Sequence, residues 1–134
     1  MLNEKSVEYL VVGGFAVGFH GYPRPTGDLD VWISIHPDNT TKVLEVLREF
    51  GFGGENLSPA LFAKPGTIIR MGVPPLRIEI QTHISGVDFA ECYQHRIMGD
   101  LDGENVSLIN LHDLKQNKRA AARHKDLADL ENLP

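Results

Sequence analysis

Two aspartates lie two residues apart in the segment Asp28-Leu29-Asp30-Val31. The apolar residues beside them predict a β-strand, and side chains two residues apart on a strand project from the same face. Neighbouring carboxylates repel each other unless a cation lies between them. Mg²⁺ is the natural cation, because it prefers oxygen ligands and keeps coordination positions for water and phosphate oxygens. The pattern therefore predicts a magnesium site, and the alternative is a polar strand face in contact with water.

A third carboxylate, Glu79, lies between Ile78 and Ile80 on the polar face of another predicted strand. If that strand neighbours the strand of Asp28 and Asp30, three carboxylates converge. Three carboxylates are enough to bind one or two metal ions for an in-line displacement at phosphorus. Otherwise Glu79 is a solvated residue, so the order of the strands decides between the two interpretations.

The glycine pair Gly13-Gly14 separates the apolar run 9–12 from a predicted helix. Glycine lets the backbone come close to a ligand, and the amino terminus of a helix offers free N–H groups to an anion. An anion-binding turn followed by a metal-binding strand is the layout that a nucleoside triphosphate needs. The alternative interpretation of the two glycines is a plain tight turn.

Two charged residues near the C-terminal end fall on apolar helical faces. Lys118 follows Leu111 by seven residues and Leu114 by four, and Asp126 precedes Leu130 by four, which places each on a buried face. A buried charge is costly unless it is paired with another charge or with a ligand. Either these two charges bind a ligand, or they form a structural ion pair, with Asp126 also able to cap a helix.

The order of strand and helix patterns predicts an α+β fold of mixed α/β type, with a mixed β-sheet flanked by helices and two helices at the C-terminal end. We expect a single domain over residues 1–134. The predicted strands are 9–12, 28–35, 67–71, 76–81, 96–101 and 105–109. The predicted helices are 15–20, 39–50, 88–95, 110–122 and a last one that ends near 133, with a further turn around 59–62. Asp38 or Asn39 is expected to cap the second of these helices, and Asn110 the fourth.

The composition bounds the class of protein. The net charge of −5 over 134 residues argues against wholesale coating of a nucleic acid. The single cysteine, Cys92, cannot form an internal disulfide and suits a reducing compartment. No signal peptide is recognisable, and no apolar run approaches the ~20 residues of a membrane span. We therefore expect a cytoplasmic protein with no membrane partner.

The motifs together resemble the signature of the nucleotidyltransferase superfamily, which has the DNA polymerase beta-like fold, and in particular its small bacterial branch of abortive-infection and toxin-type nucleotidyltransferases. The N-terminal resemblance is carried by Val12-Gly13-Gly14-Phe15-Ala16, His20-Gly21, Arg24, Thr26 and Asp28-Leu29-Asp30-Val31. The third acid of that family lies in a strand between two apolar residues, as does Glu79. The C-terminal resemblance is to a Lys followed by Arg-x-Lys-Asp-x-x-Asp-Leu, matched by Lys118, Arg123, Lys125, Asp126, Asp129 and Leu130.

This resemblance implies an enzyme that transfers a nucleoside monophosphate from a nucleoside triphosphate to a hydroxyl group of an RNA, a protein or a small molecule. It implies one or two Mg²⁺ ions on Asp28, Asp30 and Glu79, which with Lys118 form the catalytic set. It implies nucleotide binding by Gly13, Gly14, Arg24, Thr26, Arg123, Lys125 and Asp126. Because no second domain is recognisable, the acceptor site is expected on the C-terminal helices, in a homo-oligomer or on a partner such as an antitoxin.

The chain departs from the family at one position. Many members have Ser after the first Gly of the motif, and Gly14 has no hydroxyl group to offer a phosphate. Backbone contacts then remain, which suit binding better than catalysis. Two alternatives therefore stay open: a nucleotide-binding or toxin–antitoxin partner protein that kept the fold without turnover, and a phosphoesterase that uses the same metal ions.

Overall fold

A computed structural model of the chain describes residues 6–23, 28–49, 62, 66–73, 76–101 and 103–134. These residues form six strands and five helices, in an order that agrees with the sequence pattern. The strands are β1 Tyr9–Val12, β2 Asp28–Ile33, β3 Ile68–Val73, β4 Leu76–Gln81, β5 Ile97–Leu101 and β6 Glu104–Leu108; the helices are α1 Gly13–Phe19, α2 Pro37–Glu49, α3 Phe89–Gln94, α4 Leu111–Ala121 and α5 His124–Asn132.

The strands form one mixed sheet in the order β3-β4-β2-β1-β6-β5. The pairs β1–β2, β3–β4 and β5–β6 are antiparallel, whereas β2–β4 and β1–β6 are parallel. The α+β prediction is therefore confirmed. The order also answers the question that the sequence left open, because β4, which carries Glu79, is the immediate neighbour of β2, which carries both aspartates.

The core contains β1, the second half of β2 and the apolar stripe of α2. All four residues of β1 are buried, as are Val31, Trp32 and Ile33 in β2. Trp32 lies on the same face of β2 as the two aspartates, and its ring meets Phe89 of α3 edge-on, with 5.1 Å between centroids. This contact gives Trp32 a packing role in the core. Helix α3 therefore covers part of the sheet face on which the carboxylates lie.

Several element boundaries differ from the prediction. Helix α1 begins at Gly13, so the glycine pair belongs to its first turn, and β2 ends at Ile33, two residues early. The predicted hairpin at 96–109 is present, with Gly103 at a φ of +87° that suits a turn glycine. Asn110 caps α4 as predicted, because its side chain accepts a hydrogen bond of 2.8 Å from the Asp113 N–H. The turn predicted at 59–62 lies outside the described residues except for Phe62, which is buried.

Asn39 is a correction to the predicted cap of α2. The helix begins earlier, at Pro37, whose fixed φ and missing N–H suit the first helical position. Asn39 is buried instead, and its amide group joins three chain segments. Its Nδ2 donates to the backbone oxygens of Glu8 (3.1 Å) and Ser34 (2.9 Å), and its Oδ1 accepts from the Glu8 N–H (2.7 Å). A side chain that satisfies three backbone groups fixes where α2 starts relative to β1 and β2.

None of the helices in the described part of the chain has the length and apolar character needed to cross a membrane.

We predict that Asn39→Ala lowers the free energy of unfolding by roughly 1–3 kcal/mol, because it removes three hydrogen bonds from partly buried backbone groups. Urea denaturation followed by circular dichroism measures the change. Thr41→Ala is the matched control, because Thr41 is exposed and bonds only within its own helix, to the Pro37 oxygen; it should cost at most about 0.5 kcal/mol. Equal losses in the two variants would contradict the role assigned to Asn39.

Candidate active site

The parallel pairing of β2 with β4 brings the three predicted carboxylates to one face of the sheet. Asp30 lies directly beside Glu79 in the register, and Asp28 lies beside Arg77. Residues paired across neighbouring strands share a face, as do residues two apart on one strand. Asp28, Asp30 and Glu79 therefore form a contiguous acidic patch, as predicted for the case in which the two strands are neighbours.

Asp30 also lies against the backbone at the start of α1. It pairs with Val12 across β1–β2, and a Cβ atom placed on Gly13 would stand only 2.1 Å from its Oδ2 atom. Gly13 has a φ of +66°, which disfavours any residue with a side chain. A glycine is required here for both reasons. The first glycine of the motif thus allows a carboxylate and the helix start to come into direct contact.

The surroundings of Asp30 disfavour its charged form. Burial, together with the negative charges of Glu79 and Asp28, raises the pKa of Asp30 to about 6, although Lys125 and Lys118 act in the opposite direction. Its only hydrogen-bond donor among the described contacts is the Gln81 amide, at 3.4 Å. Carboxylates that raise one another's pKa are a donor set suited to a divalent cation, because the cation removes their repulsion.

Two arginines form ion pairs with the other two carboxylates of the acidic patch. Nε of Arg77 is 3.3 Å from Oδ1 of Asp28, and Nε of Arg70 is 3.4 Å from Oε2 of Glu79. Within the described residues, no group of three or more His, Cys, Asp or Glu side chains is arranged to hold a metal ion. The acidic patch has the ligand type and the shared sheet face that a hard divalent cation needs, but its side chains would have to leave the arginines before they could converge on an ion.

A cavity of about 340 Å³ lies beside this patch, and residues from both the N-terminal and the C-terminal part of the chain line it. Four of the predicted site residues line it: Gly13, Asp30, Lys118 and Arg123. The lining is completed by Val12, the first residue of the glycine motif, and by six residues that the sequence did not single out: Gln81, His83, Ile84, Ser85, Asn117 and Ala121. Gln81 was identifiable, because it follows Glu79 by two residues and so shares its face. The others depend on how the loop after β4 meets α4, for which the sequence carries no signal.

That loop is held tightly against α4. Asn117 donates its side-chain amide to the Ser85 oxygen (2.9 Å), and Gln116 donates to the Gly86 oxygen (3.3 Å). Gly86 has a φ of +78°, and a Cβ atom on it would lie 2.4 Å from the Cβ of Ala120. This wall of the cavity is therefore closely packed, and its position relative to α4 is defined by hydrogen bonds to the backbone.

Lys118 is buried and paired with two aspartates of α5. Its Nζ atom is 3.0 Å from Oδ1 of Asp126 and 3.1 Å from Oδ2 of Asp129, and all three residues are at most 3% exposed. The ion-pair interpretation of Lys118 and Asp126 is therefore confirmed, with Asp129 as a second partner. Lys118 also lines the cavity, so its predicted action on phosphate remains open as a second role.

Asp126 also anchors the start of α5. Its Oδ2 accepts from the backbone N–H of Arg123 (3.2 Å) and from Nε of the same residue (2.7 Å). Arg123 is the N-cap residue, so Asp126 takes part in capping as the third residue of the helix rather than as the cap itself. Burial opposes the charge of Asp126, but hydrogen bonds from Arg123 and Lys118 keep its pKa below the usual value. The same hydrogen bond raises the pKa of Arg123. Arg123 remains 62% exposed and reaches the cavity wall with a fixed positive charge.

None of the other predicted site residues that the structure describes lines the cavity: Asp28, Glu79, Gly14, Lys125 and Asp126 lie outside its lining. Gly14 is buried in the first turn of α1 and does not line it. Lys125 is exposed on α5, close enough to Asp30 to lower its pKa. Arg24 and Thr26 lie outside the described residues. The location of Arg24 and Thr26 at the nucleotide site therefore stays a prediction.

Neither His20 nor Cys92 belongs to the candidate site. His20 Nε2 donates to the Ile109 oxygen at 2.8 Å, which joins the end of α1 to the end of β6. Cys92 is buried in the core, and burial, with Asp113 nearby, raises its pKa to about 12. A thiol with so high a pKa is a poor nucleophile. The described cavity therefore offers the Asp30 carboxylate, cations and amides rather than covalent chemistry at sulfur.

A solved structure has a closely related arrangement of elements. The chain superposes on the crystal structure of a "putative nucleotidyltransferase" from Thermotoga maritima with a TM-score of 0.63 and 15% sequence identity, over 97% of this chain and 83% of the other. The chain has a nucleotidyltransferase-like fold. At this identity the likeness concerns the fold, which agrees with the superfamily resemblance of the motifs. No protein-family model and no curated protein matches the sequence.

We predict that Asp30→Asn stabilises the metal-free protein at pH 7 by roughly 1–3 kcal/mol, because one pKa unit corresponds to about 1.4 kcal/mol. The sign follows from the raised pKa: between about pH 4 and 6 the folded protein keeps a proton that the unfolded chain has lost. Stability in the wild type therefore falls as the pH rises through this window. The gain in the variant should shrink steadily as the pH falls toward 4, because the folded wild type then keeps its proton and the unfolded wild type begins to take one up.

Thermal unfolding in the presence of a chelator, measured from pH 4 to 8, tests this prediction. Asp100→Asn is the matched control, because Asp100 lies exposed on the edge strand β5 and should shift stability equally at all pH values. A pH-independent difference between the wild type and Asp30→Asn would contradict the assigned cause.

We predict that Lys118→Met lowers the free energy of unfolding by about 3–5 kcal/mol, because it leaves two buried carboxylates without their shared cation. Lys125→Met is the control of the same residue type at an exposed position and should change stability by at most about 0.5 kcal/mol. Chemical denaturation measures both. Comparable small changes would show that the buried cluster contributes little to the packing of α4 on α5.

Proposed function

We propose that this protein is a Mg²⁺-dependent nucleotidyltransferase that moves a nucleoside monophosphate from a nucleoside triphosphate to a hydroxyl acceptor. The observation that carries the proposal is the cavity in which Gly13 and Asp30, from the first motif, meet Lys118 and Arg123, from the last. One wall offers the Asp30 carboxylate, whose neighbours Asp28 and Glu79 lie on the same sheet face outside the cavity lining, and the other wall offers cations for phosphates. This pairing is what transfer from a triphosphate requires.

Asp28, Asp30 and Glu79 are the residues that would hold the metal. Their common face, the raised pKa of Asp30 and the oxygen ligands that they provide support this assignment. When bound, Mg²⁺ supplies charge neutralisation on the phosphate oxygens. Glu79, directly beside Asp30 in the register, orients the acceptor hydroxyl and takes its proton.

The triphosphate would lie across the cavity. The backbone at Gly13 offers close approach to the phosphates, with Gly14 behind it in the same helical turn. Arg123 is exposed and carries a permanent charge, so it contacts phosphate directly. Lys118 adds positive potential from its buried position, and Lys125 adds it from the surface. Arg24 and Thr26 belong to the same nucleotide site in this proposal.

In the reaction, the acceptor oxygen attacks the α-phosphorus and forms the new phosphodiester or phosphoester bond. The bond from the α-phosphorus to the bridging oxygen breaks, and pyrophosphate leaves with the negative charge. RNA, protein and small-molecule hydroxyls are the acceptor classes to be tested. The C-terminal helices, a second copy of the chain or a partner such as an antitoxin would complete the acceptor site.

A second candidate function is nucleotide binding without turnover, as in a partner protein that kept the fold. Two observations support this second candidate. Gly14 brings no hydroxyl to the phosphates, and the ammonium of Lys118 is already shared between two aspartates. In both cases the cavity keeps its charge and can bind a nucleotide. The missing hydroxyl and the engaged ammonium are, however, groups that would otherwise stabilise the transition state selectively.

We predict that the wild type transfers α-³²P-labelled nucleotide to at least one of three acceptor pools (tRNA, protein, small hydroxyl compounds) and that Asp30→Asn abolishes the transfer. The reason is that the substitution removes a ligand charge from the centre of the acidic patch. The variant remains folded, which circular dichroism checks. Asp100→Asn serves as the matched control and retains full activity.

Calorimetry with each triphosphate, with and without Mg²⁺, separates the candidate functions. Metal-dependent binding with no labelled acceptor and no pyrophosphate release would favour the binding protein. Pyrophosphate or phosphate release without any acceptor would indicate a phosphoesterase. Undiminished labelling by Asp30→Asn would overturn the assignment of the acidic patch.

A further inference from the structure

Arg70 and Arg77 are exposed cations on the carboxylate face that the nucleotide cavity does not use. Their side chains are 64% and 43% exposed, and neither lines the cavity. Each is paired with a carboxylate of the acidic patch, Arg70 with Glu79 and Arg77 with Asp28. The proposed function gives these carboxylates to a metal ion and leaves the two guanidinium groups without a role.

The two arginines lie next to each other on β3 and β4, the two neighbouring strands at one end of the sheet. In the antiparallel pairing of β3 with β4, Arg70 is opposite Glu79, and Arg77 is opposite Gly72. Arg70 and Arg77 are therefore diagonal neighbours, a relation that separates side chains by about 7–8 Å. Gly72 is exposed and has no side chain to cover the guanidinium opposite it. The pair presents two cations on an open part of the sheet, since β3 is an edge strand.

These ion pairs are of the kind that exchanges readily. The arginine of each pair is exposed, whereas the Glu79 and Asp28 side chains are 15% and 35% exposed. Water screens an ion pair with an exposed arginine and lowers its contribution to about 1 kcal/mol, in contrast to the buried pairs of Lys118. The Nε–oxygen distances in the two pairs are 3.4 and 3.3 Å, longer than the roughly 2.7–2.9 Å typical of strong charge-assisted hydrogen bonds. A divalent cation on the same carboxylates would replace them.

We propose that Arg70 and Arg77 form a second phosphate-binding position, which is closed by their ion pairs with Glu79 and Asp28 and opens when a divalent cation takes those carboxylates. This inference rests on the proposed function, because it needs a metal ion on the acidic patch. Guanidinium groups suit phosphate because their planar forks bind its oxygens in pairs. Two of them at this separation suit an anion with more than one phosphate group.

Two phosphate sources fit this chemistry: the phosphodiester chain of a nucleic-acid acceptor, and the pyrophosphate that leaves. Both would be held on the carboxylate face outside the nucleotide cavity. In either case the metal ion and the phosphate ligand strengthen each other's binding. This sign is diagnostic, because Mg²⁺ ordinarily weakens protein contacts with a polyanion by screening and counterion competition.

The test measures two affinities on the full-length chain. Electron paramagnetic resonance gives the affinity for Mn²⁺ as a substitute for Mg²⁺. Fluorescence anisotropy gives the affinity for a short, labelled, single-stranded oligoribonucleotide, with and without the metal. The double variant Arg70→Gln/Arg77→Gln is compared with Arg48→Gln/Arg119→Gln, which removes the same charge from exposed positions on α2 and α4.

We predict that saturating Mn²⁺ tightens oligonucleotide binding by the wild type about fivefold or more, and that the oligonucleotide tightens Mn²⁺ binding by the same factor, as linkage requires. The control double variant keeps this coupling. Arg70→Gln/Arg77→Gln loses it and binds Mn²⁺ alone several-fold more tightly, because no ion pair has to break. Inorganic pyrophosphate that displaces the oligonucleotide at stoichiometric amounts assigns the position to the leaving group; failure to displace it assigns the position to the acceptor strand.

Mn²⁺ binding that leaves oligonucleotide affinity unchanged or lowers it would overturn the second position and leave the proposed function intact. Absence of Mn²⁺ binding in the wild type would overturn both. Weaker Mn²⁺ binding by Arg70→Gln/Arg77→Gln would show that the arginines position the carboxylates for the metal, which also contradicts the exchange.

Discussion

The buried contact of Lys118 with Asp126 and Asp129 is the interaction on which the C-terminal half of the site depends. One ammonium group and two carboxylates lie out of water between α4 and α5, and none of the three is tolerable there alone. The two helices can therefore pack in few ways. Because Asp126 also binds the backbone and side chain of Arg123, the same contact places the exposed guanidinium at the cavity wall.

The carboxylates of the acidic patch are held by weaker means. Asp30 lies against Gly13 in a setting that raises its pKa, and Asp28 and Glu79 are paired with exposed arginines. The two kinds of charge cluster differ in burial. The buried cluster of Lys118 defines the fold, whereas in the ion pairs with exposed arginines a ligand can replace one partner. Such a division is expected of a site that gives up some stability for binding.

Local patterns in the sequence predicted much of this structure. Alternation placed Asp28 and Asp30 on one face, and helical spacing turned Lys118 inward, because each prediction depends only on the period of a strand or helix. Asn110 was identified as a cap by its position before an apolar stripe. Asn39 was wrongly taken for a cap by the same reasoning, since its real partners include Glu8, more than thirty residues away along the chain.

The sequence by itself determined which residues carry charge, which face of an element they occupy and, through the resemblance of its motifs, the class of fold. Only the tertiary structure decided that β4 lies beside β2, which brings Glu79 to the aspartates, and that residues of α4 and Arg123, just before α5, line the same cavity as Asp30. The physical reason is that periodicity reports the direction of a side chain but not its partner. The partner depends on which distant segments cross, and that is set by the packing of the whole chain.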